Sequence, residues 1–433
     1  MIYIPDEIHF IINKLNSFGN HCFLVGGCVR DYLLNKKPKD FDIVTTATID
    51  EIKRLFTKVI STGEKHGTLT VVNGNYACEV TSINSGESNL DINKLLKSNL
   101  LKRDFTINSL AMDINGEIYD FCDGKNDLFN IIIKFNFDPV DRIKEDPLRM
   151  MRFVRFGCEL NFKQDEQSKV SIFKNAHLIN NVSSERIRDE LSKILLSDYP
   201  ANGVKQLFSL ELLQYVIPEL IDSYGFNQHS PYHDKDVFSH TLEVLEHSPK
   251  KLNIRLGALL HDVAKPVTFS IDENNIGHFY NHPKVGAQMA EDILRSLKYD
   301  NKTINNVSIL IKEHMHRNRF SSHAEAKRFI NRVGTDNIDD LFDLHIADIK
   351  GSKYSSAISD VEYNKKLVKE ILESDEVLSI ADLEINGYDL MELGFKPGPK
   401  IGDILKKLHE LVLENPEFNR RDKLLEIVQD EYC

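Results

Sequence analysis

No apolar run in the 433 residues approaches the ~18 that a bilayer-crossing helix needs, so nothing here is expected to span a membrane. Six cysteines, at 22, 28, 78, 122, 158 and 433, form no Cys-x-x-Cys pair and no disulfide-like or zinc-like spacing. That excludes a thiolate metal site and a disulfide framework, and leaves reduced, mostly buried thiols. The first ten residues carry Asp6 and Glu7 and lack the basic start and apolar stretch of a secretory signal; a cytoplasmic protein is expected. Repeats of fixed period and low-complexity tracts are missing too, which removes solenoid and disordered architectures. Nor is there a surplus of positive charge. The net charge of −12 argues mildly against a nucleic-acid partner, although such binding depends on the local footprint and not on the sum.

What is present is ordinary for a globular chain, with 41% hydrophobic and 28% charged residues. The length, at about 150 residues per domain, predicts roughly three folding units. Strand patterns fall at Cys22–Val25, Phe41–Val44, Leu69–Val72 and Tyr76–Ser82, the last two joined across Asn73-Gly74. Asp6–Ser17 and Ile49–Phe56 have helical apolar spacing. Beyond Asp138 strand patterns nearly vanish, and helices are expected at Glu145–Phe156, Ser184–Leu195, Val204–Leu213, Val237–Glu246, Leu252–Val263, Val285–Lys298, Asn305–His314 and Ala324–Val333. The fold class is therefore an α/β head with a small mixed sheet, followed by a long helical body. Junctions are expected near Ser223–Asp236 and Ser374–Ile385.

Gly26-Gly27 follows an apolar strand and precedes a helical start, a place where backbone amides can approach a triphosphate. A glycine pair there is also ordinary turn chemistry. Asp40-Phe41-Asp42 adds two carboxylates at i and i+2 on a strand, on one face. Such a cluster suits two hard cations, with Mg²⁺ favoured, that activate a hydroxyl and stabilise leaving pyrophosphate in an in-line displacement. An isolated Asp-x-Asp would be a solvated strand end; its spacing from Gly-Gly weighs against that here. Glu79, on the second strand of the hairpin, can reach the same face as a third carboxylate.

Three segments in order carry a family resemblance: Gly26-Gly-Cys-Val-Arg-Asp31, Asp40-Phe-Asp42 and Lys102-Arg-Asp-Phe-Thr-Ile-Asn-Ser-Leu-Ala111. They resemble the head signatures of bacterial tRNA nucleotidyltransferases, the CCA-adding enzymes and their poly(A) polymerase relatives. The resemblance implies that Asp40 and Asp42 bind catalytic Mg²⁺ with Glu79 beside them. It also implies that Gly26, Gly27, Arg30, Arg103, Asp104 and Asn108 contact the incoming nucleotide, ATP or CTP, and that the partner is tRNA.

Glu145-Asp-Pro-Leu-Arg-Met-Met-Arg-Phe-Val-Arg-Phe156 sets Asp146, Arg149, Arg152 and Arg155 at spacings of three on the expected helix. A carboxylate and a guanidinium together offer the acceptor and the donor fork that reading a base edge requires. A surface salt-bridge ladder is the structural alternative. The segment is similar to the family's base-reading motif, which implies Asp146 and Arg149 as the template pair and Arg152 and Arg155 as nucleotide or phosphate contacts. Glu185-Arg-Ile-Arg-Asp-Glu-Leu191 looks like the next family motif, a support for the neck.

His240, His261-Asp262 and Asp348 stand in the order His…His-Asp…Asp, with His282 and His314 nearby, and mixed imidazole and carboxylate ligands suit a divalent cation. The stretch from about Val237 to Asp348 resembles HD-domain phosphohydrolases. That implies a second divalent cation on His240, His261, Asp262 and Asp348, with phosphodiester or phosphatase activity toward RNA ends. Ile385 to Gly402 and the helix Ile401–Glu414 look like the tail of HD-containing CCA-adding enzymes, where Lys400, Lys406 and Lys407 could meet phosphates or simply be a solvated basic face. The expected organisation is a head over 1–136, a neck over 137–225, an HD domain over 226–355 and a tail over 375–433.

One stretch departs from the family. Thr81 to Leu101 contains no arginine and looks shortened, as in relatives that add only the two cytidines, and Lys102 replaces a usual arginine. Full CCA addition is the first expectation. The alternatives are a CC-adding enzyme, a poly(A) polymerase, or an HD phosphohydrolase with a non-catalytic RNA-binding head.

Overall fold

The computed structural model describes residues 4–64, 67–84, 91–229, 235–352, 358–374 and 378–432. The chain divides into two compact units, Met1–Ser183 with Ser209–Leu212, and Ser184–Phe208 with Leu213–Cys433.

In the first unit, helix α1 (Asp6–Ser17) buries Ile8, Ile11, Ile12 and Leu15, one stripe at helical spacing. Strand β1 (Cys22–Val25) is buried at all four positions, the pattern of a strand covered on both faces. Helix α2 (Gly27–Leu33), β2 (Asp42–Thr45), α3 (Ile49–Leu55), β3 (Val59–Gly63), β4 (Thr68–Asn73), β5 (Tyr76–Ser82), α4 (Ile92–Leu101), β6 (Leu110–Met112) and β7 (Ile118–Asp120) follow. The strands form one sheet in the order β3-β4-β5-β2-β1-β6-β7. It is mixed, as expected: β2 runs antiparallel to β1 and parallel to β5. One face packs Phe23, Val25, Val44 and Ala111 against Leu96 and Leu100 of α4. The β4–β5 turn sits one residue later than expected, since Asn73 pairs with Tyr76 and leaves Gly74-Asn75 as the loop. Gly74 alone of these two has a positive φ, as a type II′ turn requires.

Helix α5 (Gly124–Phe129) and the short parallel pair β8 (Ile132–Ile133) and β9 (Lys163–Gln164) lead into α6 (Pro139–Glu145), α7 (Arg149–Leu160) and α8 (Glu166–Asn175). The helix expected at Glu145–Phe156 is thus broken. Asp146 is the C-cap of α6 at φ −150° and ψ 97°, because Pro147 disfavours the helical region for the residue before it. Asp146 accordingly lies off the helix that carries Arg149, Arg152 and Arg155.

Beneath this break Phe105, Phe135, Phe153 and Phe156 form an aromatic cluster. Phe135 stacks on Phe153 at 5.5 Å, and Phe105 meets Phe156 edge-on at 5.6 Å. The Phe153→Ala variant should lose about 3–5 kcal/mol of stability through transfer and cavity terms. Urea titration followed by near-ultraviolet circular dichroism checks this; an unchanged midpoint would show that the cluster does not hold α7 in place.

The second unit is almost wholly helical: α9 (Ser184–Leu195), α10 (Pro200–Ser209), α11 (Leu213–Val216), α12 (Val237–His247), α13 (Leu252–Leu260) and α14 (Lys265–Thr268), then a small hairpin of β10 (Phe269–Ile271) and β11 (Gly277–Phe279). It continues with α15 (His282–Ser296), α16 (Asn301–Glu313), α17 (His323–Val333), α18 (Thr335–Gly351), α19 (Ile358–Leu372), α20 (Gly387–Glu392), α21 (Pro399–Glu414) and α22 (Arg421–Tyr432). The expected helix Val204–Leu213 divides into α10 and α11 because Glu211 takes a left-handed φ of 60°. Of the expected junctions, residues 230–234 and 375–377 lie outside the described residues. The tail core gathers Leu383, Ile385, Leu390, Ile404, Leu408, Val412, Leu424 and Val428. Among the tail lysines, Lys400 lies over Phe395 at 5.0 Å and Lys407 over Tyr432 at 5.3 Å. Lys406 shares a groove with Glu410, Glu414 and Glu431, so its charge is interleaved with acid.

Candidate functional site

The end of β1 carries the first element of the site. Gly26 adopts φ 78° and ψ −130°, and an added Cβ there would overlap Nη1 of Arg103. Glycine at 26 is therefore fixed by both backbone and packing. At Gly27 an added Cβ would meet only Arg30 Nη2 at 3.6 Å, an ordinary contact, so packing does not require that glycine.

Sheet register assembles the carboxylates. Val25 faces Asp42 across the β1–β2 pair, and Asp42 faces Glu79 across the parallel β2–β5 pair. Burial pushes the Asp42 carboxyl above its ordinary value; Arg103 opposes this, and the like charges of Glu79 and Asp40 add to it. Asp42 and Glu79 thus stand side by side on the interior strands β2 and β5, with Asp40 two residues before β2, and the three are mutually repelling oxygen donors. Hard oxygens in that arrangement fit Mg²⁺.

Around them runs a network of charge-assisted hydrogen bonds. Arg30 donates from Nε (2.9 Å) and Nη2 (2.7 Å) to Asp31 Oδ1, and from Nη1 to Asn108 Oδ1 at 2.8 Å. Asn108 donates to Asp104 Oδ1 at 3.1 Å, and Arg152 of α7 donates from Nε to Asp104 Oδ2 at 2.8 Å. Burial alone would raise the Asp104 carboxyl, but Arg152 and Asn108 hold it below its ordinary value. The guanidiniums of Arg30, Arg152 and Arg155 lie over the Phe156 ring at 5.3, 5.5 and 4.0 Å. Arg155 also pairs with Glu159 at 2.8 Å.

Asp146 and Arg149 do not join each other through their side chains. Arg149 Nη1 donates to Glu145 Oε2 (2.8 Å) and the Arg142 carbonyl (3.0 Å), and Nη2 to the Lys102 carbonyl (3.1 Å). Asp146 Oδ1 accepts from Leu148 N at 3.2 Å. The structure thus brings together Gly26, Gly27, Arg30, Asp40, Asp42, Glu79, Arg103, Asp104, Asn108, Arg152 and Arg155, and sets Asp146 and Arg149 on opposite sides of a helix break. Asp31, the acceptor for Arg30, was not singled out from the sequence. Its signal was adjacency in the Gly-Gly segment. In the stretch expected to be shortened, residues 85–90 lie outside the described residues, and 92–101 form α4.

A second cluster lies in the other unit. His240 (α12), His261 and Asp262 (after α13), His282 (α15), His314 (after α16) and Asp348 (α18) are all buried. His240 Nε2 is 3.1 Å from Asp348 Oδ1 and 3.4 Å from His261 Nε2, which is 3.1 Å from Asp262 Oδ2. His282 Nε2 and His314 Nε2 stand 3.4 Å apart. Lys265 pairs with Asp262 at 2.8 Å, and Arg317 pairs with Asp348. Neither cation was singled out from the sequence, although Lys265 is one turn beyond Asp262. Burial, aided by the charge of His261, drives His314 down to about 3, and burial also lowers His282. Neutral imidazoles of this kind are competent metal ligands.

Comparison with known proteins covers both units. Residues 22–134 match the family model described as the poly A polymerase head domain, residues 161–223 that of an RNA- and SrmB-binding site of polymerase A, and residues 278–428 that of tRNA nucleotidyltransferase domain 2. The chain is 32% identical to the CCA-adding enzyme of Ligilactobacillus salivarius, over 98% of its own length and 96% of that protein's. It is 29% identical to that of Staphylococcus haemolyticus, over 97% and 96%. The fold is similar to the Bacillus stearothermophilus CCA-adding enzyme solved with CTP (TM-score 0.75, 24% identity, all of both chains). It is also similar to the Thermotoga maritima CCA-adding enzyme complexed with tRNA (TM-score 0.61, 18% identity, 99% and 96%).

Proposed function

The chain belongs to the CCA-adding enzymes, a family of tRNA nucleotidyltransferases, and from that premise we propose that it completes the 3′ end of tRNA with CCA, taking CTP and ATP without a nucleic-acid template. The observation that carries the reading is the triad of Asp40, Asp42 and Glu79 about the start of the interior strand β2, beside the Gly26-Gly27 turn. Asp40 and Asp42 are the ligands for Mg²⁺, which when bound supplies charge neutralisation for the attacking hydroxyl and the departing pyrophosphate. Glu79 extends the carboxylate face. The backbone at Gly26 and Gly27, with Arg30 and Arg103, holds the triphosphate. Asn108 and Asp104 brace Arg30 and Arg152, and Arg152 and Arg155 face the nucleotide from α7.

Base choice rests in this reading on Asp146 and Arg149, which offer an acceptor and a donor fork from the two sides of the Pro147 break. Asp146→Asn keeps an oxygen for the Leu148 amide but puts a donor where an acceptor stood. It should change the ratio of kcat/KM for CTP over ATP by about tenfold to a hundredfold, the worth of one or two base-edge hydrogen bonds. Single-nucleotide kinetics on primer ending in C would measure it, and an unaltered ratio would move the base reader elsewhere.

The decisive assay offers tRNA transcripts ending before CCA, after C and after CC to CTP, ATP or both with Mg²⁺. Growth to a terminal A on all three is expected. A stop after CC would make this a CC-adding enzyme, and a long adenosine tail would make it a poly(A) polymerase.

The His/Asp cluster is, in the same reading, an HD-type divalent cation centre held by His240, His261, Asp262 and Asp348, with hydrolytic activity on phosphate esters at RNA ends. Its support is the convergence of two Nε2 atoms and two carboxylates in a buried pocket. His261→Ala should remove metal-dependent release of phosphate from RNA ends while tRNA completion persists; release at the original rate would rule the centre out as its source.

A further inference from the structure

Helix α4 covers the face of the head sheet from which the carboxylates project. Its Leu96 and Leu100 pack on Phe23, Val25 and Val44. Asp42 is the register partner of Val25 and lies two residues before Val44, so its side chain leaves the sheet on that same face, as does that of Glu79, its partner on β5.

With 96 and 100 turned inward, α4 turns Lys94, Lys97 and Ser98 outward, and the stripe runs on through Leu101 to Lys102 at the C-cap. Steps of three and four make this one helix face. It lines an open groove of about 520 Å³ together with Phe137, Arg142 and Glu145, all within the first compact unit.

Two features mark what the groove takes. The first is charge. Glu145 is its one carboxylate, and both oxygens are engaged, Oε1 by Arg142 and Oε2 by Arg149 at 2.8 Å. Lys94, Lys97 and Lys102 are exposed and form no ion pair among the described residues, in a chain whose net charge is −12.

The second is an aromatic ring held outward under strain. Phe137 is 61% exposed and has a left-handed φ of 55°, a region that a bulky side chain seldom adopts. Phe135 and Asn136 before it are buried, and Asn136 Nδ2 donates to the Arg103 carbonyl at 2.9 Å, so the chain reaches Phe137 from a fixed point. Strain that gains no burial is characteristic of binding positions. An exposed ring among unpaired lysines is how proteins hold single-stranded nucleic acid, with a base stacked on the ring and phosphates on the cations. A duplex, whose bases stack on one another, offers the ring nothing. The Lys102 end of the groove is one residue from Arg103, whose charge opposes that of Asp42, so a strand lying there leads toward the carboxylates.

We propose that this groove holds the unpaired 3′ stretch of the RNA behind its reacting hydroxyl, with one base stacked on Phe137 and the neighbouring phosphates on Lys94 and Lys97. This rests on the reading of the chain as an enzyme that extends tRNA, and the test separates the two claims.

The chain contains no tryptophan, so Phe137→Trp installs a single indole where the base stacks. Its emission and the anisotropy of a 5′-labelled tRNA transcript ending after CC are read in one titration. The indole should be quenched in step with binding. Phe137→Ala should weaken binding of the same transcript about tenfold, within the worth of one stacked base, and Phe137→Tyr should restore it. Lys94→Ala/Lys97→Ala should lower the slope of log affinity against log salt by about 1.4, at ~0.7 for each phosphate of a single strand, and raise KM for tRNA while KM for CTP stays as it was. Full affinity in Phe137→Ala, or an indole that stays bright on bound transcript, would overturn the groove while leaving tRNA extension standing, and would leave this face to a partner other than RNA. A parent chain that binds no tRNA transcript would overturn both.

Discussion

Asp42→Ala should lower nucleotide addition by about three orders of magnitude or more, since a ligand oxygen for metal-assisted displacement contributes several kcal/mol to the transition state. The position is central. Asp42 pairs with Val25 on one side and Glu79 on the other, so it lies between the glycine turn and the third carboxylate. Removing it relieves repulsion with Asp40 and Glu79 but also takes from buried Arg103 its largest opposing charge, so the melting temperature of the variant is measured beside the rate. That separates chemistry from folding. Single-turnover addition of one CMP with excess enzyme is the measurement. If the rate falls less than tenfold at saturating Mg²⁺, Asp42 is not an essential metal ligand. The phosphate release proposed above for the His/Asp centre, if it is found, should be unchanged, because that cluster belongs to the other compact unit.

Gly26→Ala is expected to be nearly as severe by a different route. The backbone there is left-handed at φ 78°, and the new methyl would occupy the place of Arg103 Nη1. Arg103 is buried, and the Coulombic support of Asp42 and Asp104 offsets part of the burial that lowers its pKa. It cannot withdraw without leaving Asp42 uncompensated. Strain and displacement together should cost about 2–4 kcal/mol of stability. Addition should fall by about a hundredfold at least, since displacements of 1 Å near reacting groups have that effect. Gly27→Ala is the control, because its Cβ finds room. It should leave the melting temperature nearly unchanged while raising KM for the nucleotide. Equal destabilisation by both would mean that the turn, not the Arg103 contact, sets the requirement.

These two residues also show how far sequence carries. Asp6–Ser17, Cys22–Val25 and Tyr76–Ser82 have the limits that their apolar patterns imply, because each is a long or fully buried run with clear punctuation. Strands β3, β6 and β7 were not legible: β6 and β7 are three residues each, too short for alternation to register. The carboxylate pair could be read from Asp-x-Asp spacing, whereas the pairing of Asp42 with Glu79 depends on a parallel crossover that local pattern does not reveal. Asp146 was placed on a helix by counting threes. The effect of Pro147 on its predecessor outweighed that count and put Asp146 at a cap. The distances within the His/Asp cluster were out of reach, since its members come from separate helices whose packing only the fold provides.

The arginines of the head and α7 have one more consequence. Arg30 already holds Asp31, Arg152 holds Asp104, and Arg155 holds Glu159. Under the proposed function an arriving triphosphate would not fall into a vacant positive hole; it would enter a competition in which each of these three guanidiniums has a resident anion to be shared or displaced. Each contact then contributes the small difference between two ion pairs and not the full strength of one. Weak retention follows, and for a catalyst that must discharge pyrophosphate and refill three times on the same RNA end, easy release is as necessary as capture.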